Sequence, residues 1–138
     1  MALALSTTLR TSFDDAVART REALAEQGFG VLTEIDMRAT LKSKLGEEIE
    51  DYLILGACNP SLAFRALGAD RRIGQLLPCN VVIRSDVQDA GAVRVEAMDP
   101  QLMVELAGEP SLQPVADEAA ARLRAAVDKL TATTGTSR

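Results

Sequence analysis

The chain has 138 residues, of which 47% are hydrophobic and 25% charged, with 15 basic against 20 acidic side chains and a net charge of −5. These values describe one globular domain rather than a disordered chain, and a surplus of acid with one Tyr, three Phe and no Trp argues against nucleic acid as partner. The absence of His removes His-based triads, His metal sites and His general bases.

The opening MALALSTTLR lacks the basic start and the length of apolar core that a signal peptide needs. No apolar run approaches the ~20 residues of a membrane helix. The sequence therefore reads as a cytoplasmic protein without a membrane partner, its two cysteines reduced at rest. Ala2 to Leu9 reads as a first strand. Ser12, with Asp15 three residues on, starts a helix as a capping pair does; Phe13, Val17 and Leu24 form its apolar stripe and Gly28 ends it. Val31 to Ile35 is predicted as strand. Met37, Leu41 and Leu45 then recur every four residues, which predicts a short helix capped by Asp36 and stopped by Gly46. The acidic run Glu47, Glu48, Glu50, Asp51 reads as a solvated connection.

Tyr52 to Ala57 shows no polar alternation and reads as a central strand. Asn59 and Pro60 have the N-cap and first-turn chemistry of a helix, which Gly68 is expected to end. Asp70 caps a further turn to Leu77, where Pro78 breaks it. Asn80 to Ile83 and Ala92 to Met98 are predicted as a strand pair around the turn-rich Asp86 to Gly91. Asp99-Pro100 opens another short helix, and Leu112 to about Leu130 a long one, with Val115, Ala119, Leu123, Ala126, Val127 and Leu130 on its stripe. The expected organisation is a single α+β domain over residues 1–131 and a flexible tail over 132–138, built as an antiparallel sheet with helices on one face and short inserted helices. The bare face of such a sheet is wetted, paired with another chain, or used for a ligand.

Cys58 and Cys79, each followed by an Asn, stand at the inner ends of two apolar runs. If those strands are antiparallel neighbours, the two thiols lie at one end of the sheet, within reach of disulfide geometry. Cys58 precedes a helix N-terminus, which favours a thiolate, and Arg65, Arg71 and Arg72 follow closely. The candidate thiol or ligand site is thus Cys58, Asn59, Cys79 and Asn80, with Arg65 and Arg84 as weaker members. The plain alternative is that both cysteines pack as small hydrophobes and that Asn59 is simply a cap. The twenty residues between the cysteines are not a C-x-x-C redox spacing. Two thiolates fall short of a zinc set, although a dimer can pool four or the pair hold Cu(I). Arg84 and Arg94 read as solvated or salt-bridged residues of one sheet. With no Walker loop, no G-x-G-x-x-G and no nucleophile elbow, the reading leans away from an enzyme and includes no cofactor.

The segments G-A-C-N-P (Gly56 to Pro60) and I-G-Q-L-L-P-C-N-V-V-I (Ile73 to Ile83), with the order of elements across nearly the whole chain, resemble the domain-of-unknown-function family numbered 302. The resemblance implies a fold like one repeat of the TATA-binding protein, β-α-β(4)-α, usually as a dimer, and no agreed activity. Fold likeness carries no DNA binding with it, because function rests on sites. The functional expectation is a non-enzymatic, dimeric small-ligand-binding domain. The alternative is a thiol protein handling redox equivalents, sulfur or a soft metal through Cys58 and Cys79, and a third reading is an interaction protein defined by its dimer surface.

Overall fold

The computed structural model describes the backbone of residues 4–136 and the side chains of residues 5–131. Five strands, β1 (Ala4–Leu9), β2 (Gly30–Asp36), β3 (Tyr52–Cys58), β4 (Cys79–Ser85) and β5 (Val93–Met98), form one sheet in the order β1-β5-β4-β3-β2. Every neighbouring pair is antiparallel. The helices are α1 (Phe13–Glu26), α2 (Met37–Leu45), α3 (Pro60–Ala69), α4 (Gln101–Ala107) and α5 (Gln113–Thr136), with 3-10 turns at Arg71–Leu76 and Pro110–Leu112. This is the α+β, β-α-β(4)-α order expected, with α2, α3 and α4 as the inserted helices.

The sheet divides its residues by strand alternation. On one face Leu53, Leu55 and Ala57 of β3, Val81 and Ile83 of β4, and Val93, Val95 and Ala97 of β5 are buried against α1 and α5. From α5 come Leu123, Ala126, Val127 and Leu130, and from α1 Ala16, Ala23 and Leu24. Burying a Leu or Val side chain of this kind contributes about 1.5–3 kcal/mol, so the stripe on α5 is a main hold on the sheet. A second cluster joins Leu62 and Ala66 of α3, Ile73, Met103 of α4, and Leu112, Val115, Ala116 and Ala119. Helix α5 runs through both clusters and ties them together.

Local chemistry sets the ends of the elements. The Ser12 side chain accepts from the Asp15 amide at 3.1 Å, and Asp36 accepts from Ala39 at 2.9 Å, each satisfying an amide that the first helical turn leaves over. Gly28 and Gly46 follow α1 and α2 with φ of +84° and +71°, a region that favours glycine. Three boundaries differ from expectation. Helix α3 passes Gly68 and stops at Ala69, where Asp70 turns extended and caps the 3-10 turn instead. Strand β2 carries a bulge between Val31 and Thr33, which shifts its register against β3. Helix α5 continues past Leu130 to Thr136. The expected first-strand residues Ala2 and Leu3, and the last two residues of the expected tail, lie outside the described residues.

Candidate functional site

Strands β3 and β4 are antiparallel neighbours, and Cys79 stands opposite Ala57. Cys58 is therefore one step along from the partner of Cys79, and the two cysteines occupy the same end of the sheet. Cys58 closes β3 and Cys79 opens β4. Both are free thiols, Cys58 half-buried and Cys79 buried. Burial pushes the Cys79 thiol up to about 11, and the neighbouring Cys58 adds to the shift. At neutral pH Cys79 is accordingly protonated, and the charged form of this thiol is disfavoured by its surroundings.

A cavity of about 30 Å3 opens beside the pair. Its walls come from both core clusters, Phe29 and Ala57 from the first and Leu62, Met103 and Ala119 from the second, with the buried Cys79 beside them. It is thus the seam where the two clusters meet. Cys58, Asn59 and Ala63 also border it. Its volume exceeds the ~10–15 Å3 that one water needs, but a lining this apolar offers a water few partners. It is far below the ~300 Å3 of a cofactor-sized pocket.

Asn59 has two structural bonds. Its side-chain oxygen accepts from the Leu62 amide at 3.3 Å, capping α3, and its amide donates to the Gln27 carbonyl at 3.4 Å. Arg122 of α5 donates to the same carbonyl at 3.3 Å. The end of α1, the start of α3 and the middle of α5 are thereby tied at one point. The remaining candidates are dispersed. Asn80 is exposed and pairs in register with Gly56, so its side chain leaves from the face opposite to that of Cys79. Arg65 is held by Glu118 at 2.7 Å on the surface, and Arg72 by Asp70 at 2.7 Å and the Ala107 carbonyl at 3.0 Å. These cations are spent on partners of their own rather than aimed at Cys58. Arg84 lies five residues along β4 from Cys79, about 16 Å at the rise of a strand, and bonds Glu96 through two nitrogens at 2.9 and 3.1 Å. It belongs to the other end of the sheet.

The sequence names Gly56 only as the start of the family-like segment and assigns it no role. A Cβ at this position would stand 2.2 Å from Thr33 Oγ1 and 2.8 Å from Pro78 Cγ. Thr33 and Pro78 roof this glycine on the face that α1 and α5 leave uncovered, immediately beside the thiol end. The signal available was a glycine inside an otherwise apolar strand, which commonly marks a close approach. A groove of about 270 Å3 between the Arg71–Leu76 turn and α4 is larger than the thiol cavity. Its one charged side chain, Arg72, is already engaged as described. Among the described residues no cluster of three or more Cys, Asp or Glu is placed to hold a metal ion, and no helix is long and apolar enough to cross a membrane.

Comparison with known proteins agrees with this architecture. A family model described as "Domain of unknown function DUF302" matches residues 5–130. A crystal structure of an uncharacterized conserved DUF302 protein from Bacillus stearothermophilus is similar with a TM-score of 0.85 and 27% sequence identity, over 94% of this chain and 99% of that one. No curated protein matches the chain.

Proposed function

Since the chain belongs to the family described as domain of unknown function DUF302, a description that carries no activity, we propose from the site alone that it is a non-enzymatic binding domain taking a small apolar group at the thiol-lined seam. One observation carries this reading: Cys58, Asn59 and Cys79 border a single apolar cavity where two core clusters meet. Such a cavity accepts a methyl-, thiol- or short-alkyl-sized group, and Asn59 stands at its edge. The raised Cys79 thiol fits a wall that packs against its guest better than one that attacks it. The reading is tested by thermal melting of the protein and of Ala63→Leu with a panel of small apolar and thioether compounds. Saturable stabilisation in the parent that disappears in Ala63→Leu is expected. A parent that no compound in the panel stabilises sinks the reading.

The uncovered face supports a homodimer as the second part of the proposal. Ile35, Ile54 and Val82 are successive partners across β2, β3 and β4 and form an apolar row there, with Ile35 45% exposed. A second copy would cover that row. Sedimentation over a range of concentrations should show a dimer that Ile35→Glu dissociates, and a monomer at every concentration would remove this part.

A thiol-chemistry reading is favoured by a half-buried Cys58 and a buried Cys79 at one end of the sheet, near enough for Cys58 to add to the shift of the Cys79 thiol. Cys58 would then be the attacking thiolate and Cys79 its partner. Alkylation of Cys58 in Cys79→Ala, followed against pH, decides it: titration like an ordinary thiol takes away the physical basis.

A further inference from the structure

At the end of the sheet away from the cysteines, Arg94 is poorly satisfied. Its Nε is shut off from solvent and makes no hydrogen bond. Glu96 Oε2 stands 3.5 Å from it, an ion pair without hydrogen-bond geometry, and Nη1 reaches Thr8 Oγ1 only at 3.5 Å. The cause is that Glu96 gives both carboxylate oxygens to Arg84. The strand register sets Arg84 directly opposite Arg94, an arrangement of like charges that a sheet ordinarily avoids.

The same register extends the row in both directions. Thr8 is the partner of Arg94 on β1, and Tyr52 is the partner of Arg84 on β3. Cross-strand partners share a face, so Thr8, Arg94, Arg84 and Tyr52 leave the sheet together on the side that α1 and α5 do not cover. Two cations sit flanked by two hydroxyls, and the carboxylate they share comes from the adjoining row. With Glu96 counted, the group carries one net positive charge. Asp86 also draws on Arg84 through space and keeps its charge while its Oδ1 accepts from the Gln88 amide, so the wider surroundings of the pair are close to neutral. Arg84 and Arg94 are only 25% and 32% exposed, so the charges are held in partly shielded positions where screening by salt is reduced.

We infer that Arg84 and Arg94, flanked by Thr8 and Tyr52, form a site for a phosphate group, as the free ion or as a monoester of a small molecule. A phosphate presents several acceptor oxygens and up to two negative charges. It can therefore take one guanidinium on each side, through the outer nitrogens that Glu96 and the sheet leave accessible, and relieve the opposition of the two arginines. The site stands apart from the seam and does not depend on what the seam binds. It shares the uncovered face with the Ile35–Ile54–Val82 row, which continues to Glu96, so the phosphate is taken at the edge of that row.

The test is calorimetric titration of the full chain with inorganic phosphate and with glycerol phosphate, against chloride at matched ionic strength. Saturable one-site binding is expected. Arg94→Gln should weaken it at least about tenfold. Glu96→Gln should strengthen it by about the same factor, because it frees Arg84 and removes a negative charge. Arg38→Gln, which touches an unrelated pair with Asp51, should leave it unchanged. Tighter binding of the ester identifies an organic phosphate as the guest, and equal binding identifies the free ion. Unsaturable heats, or unchanged affinity in Arg94→Gln, overturn the site. Should Arg94→Gln fold poorly, unchanged affinity in Glu96→Gln overturns it independently.

Discussion

Substituting Gly56 by alanine adds one carbon to the uncovered face of the sheet, and the structure shows what that carbon meets. Its distances to Thr33 Oγ1 and Pro78 Cγ would be 2.2 and 2.8 Å, well inside van der Waals contact at ~3.5 Å. The backbone of Gly56 is not in the left-handed region, so the cost is one of packing and not of conformation. The two neighbours yield differently. Thr33 is an exposed residue of the edge strand and can turn its hydroxyl away, at about 0.5–1.5 kcal/mol if it leaves its rotamer well. Pro78 has no such freedom: its ring moves only with the backbone that leads into Cys79. Overpacking of this kind costs about 1–3 kcal/mol, and two simultaneous contacts place Gly56→Ala in the upper part of that range. Thr33→Ala alone should change stability by no more than about 0.5 kcal/mol, as exposed positions do. In the double variant it should return about 1 kcal/mol and leave the Pro78 share uncorrected. Urea unfolding followed by circular dichroism measures all four corners of the cycle, with the midpoint moving and the slope constant. A Gly56→Ala protein within about 0.5 kcal/mol of the parent, or additive effects of the two substitutions, would refute the claim that this glycine is kept by its roof.

Other consequences are simpler to state. Cys79 titrates at about 11 when folded, against an ordinary thiol value of 9.0. The unfolded chain therefore loses this proton first on going up in pH. Stability should be whole below pH 9 and should fall by about 2–3 kcal/mol by pH 11. In Cys79→Ala that share of the fall should vanish, and an identical decline in both proteins would show that Cys79 is not its source. Asn59→Ala removes both the cap on α3 and the donor to Gln27, and should cost about 1–2 kcal/mol in urea unfolding. Asn59→Asp keeps the cap alone and should fall between the two. Equal stability of all three would detach Asn59 from the joint it is said to make. Leu123→Ala, in the fully buried stripe of α5, should cost about 2–5 kcal/mol, and a value below 1 kcal/mol would mean that α5 holds the sheet by other residues.

The elements were legible because their signals are local. Caps such as Ser12, Asp36 and Asn59, the four-residue spacing of Met37, Leu41 and Leu45, and the alternation of Val93, Val95 and Ala97 each act within one stretch of chain. What could not be read was set between stretches. Neighbouring strands imply that Cys58 and Cys79 share one sheet end, but their offset by one residue depends on register, and a slip of one step exchanges the faces of every side chain. Arg84 is close to Cys79 in sequence yet about 16 Å away along an extended strand. The Thr8–Arg94–Arg84–Tyr52 row draws on four strands from distant parts of the chain, and no local pattern announces it. The bulge in β2 is hidden in the same way, since Val31, Leu32 and Thr33 all suit a strand and only pairing with β3 shows the extra residue.

The two segments that carry the family resemblance can now be separated residue by residue. Gly56 makes room for Thr33 and Pro78, Ala57 packs in the core, Asn59 caps α3, and Pro60 occupies its first position. In the second segment Pro78 completes the roof and Cys79 is buried at the seam. Packing and capping account for each of these without a ligand. Left without such a role are Gly74 and Gln75, exposed on the 3-10 turn, Cys58, half-buried on the cavity, and Asn80, exposed beside Gly56 on the other face. Substitutions at the first group should therefore move stability and any ligand response together. Cys58→Ala and Asn80→Ala should leave unfolding nearly unchanged, so any loss of binding that they produce belongs to function. A Cys58→Ala protein that melts like the parent and still shows the full ligand response would leave Cys58 without a part in binding at the seam.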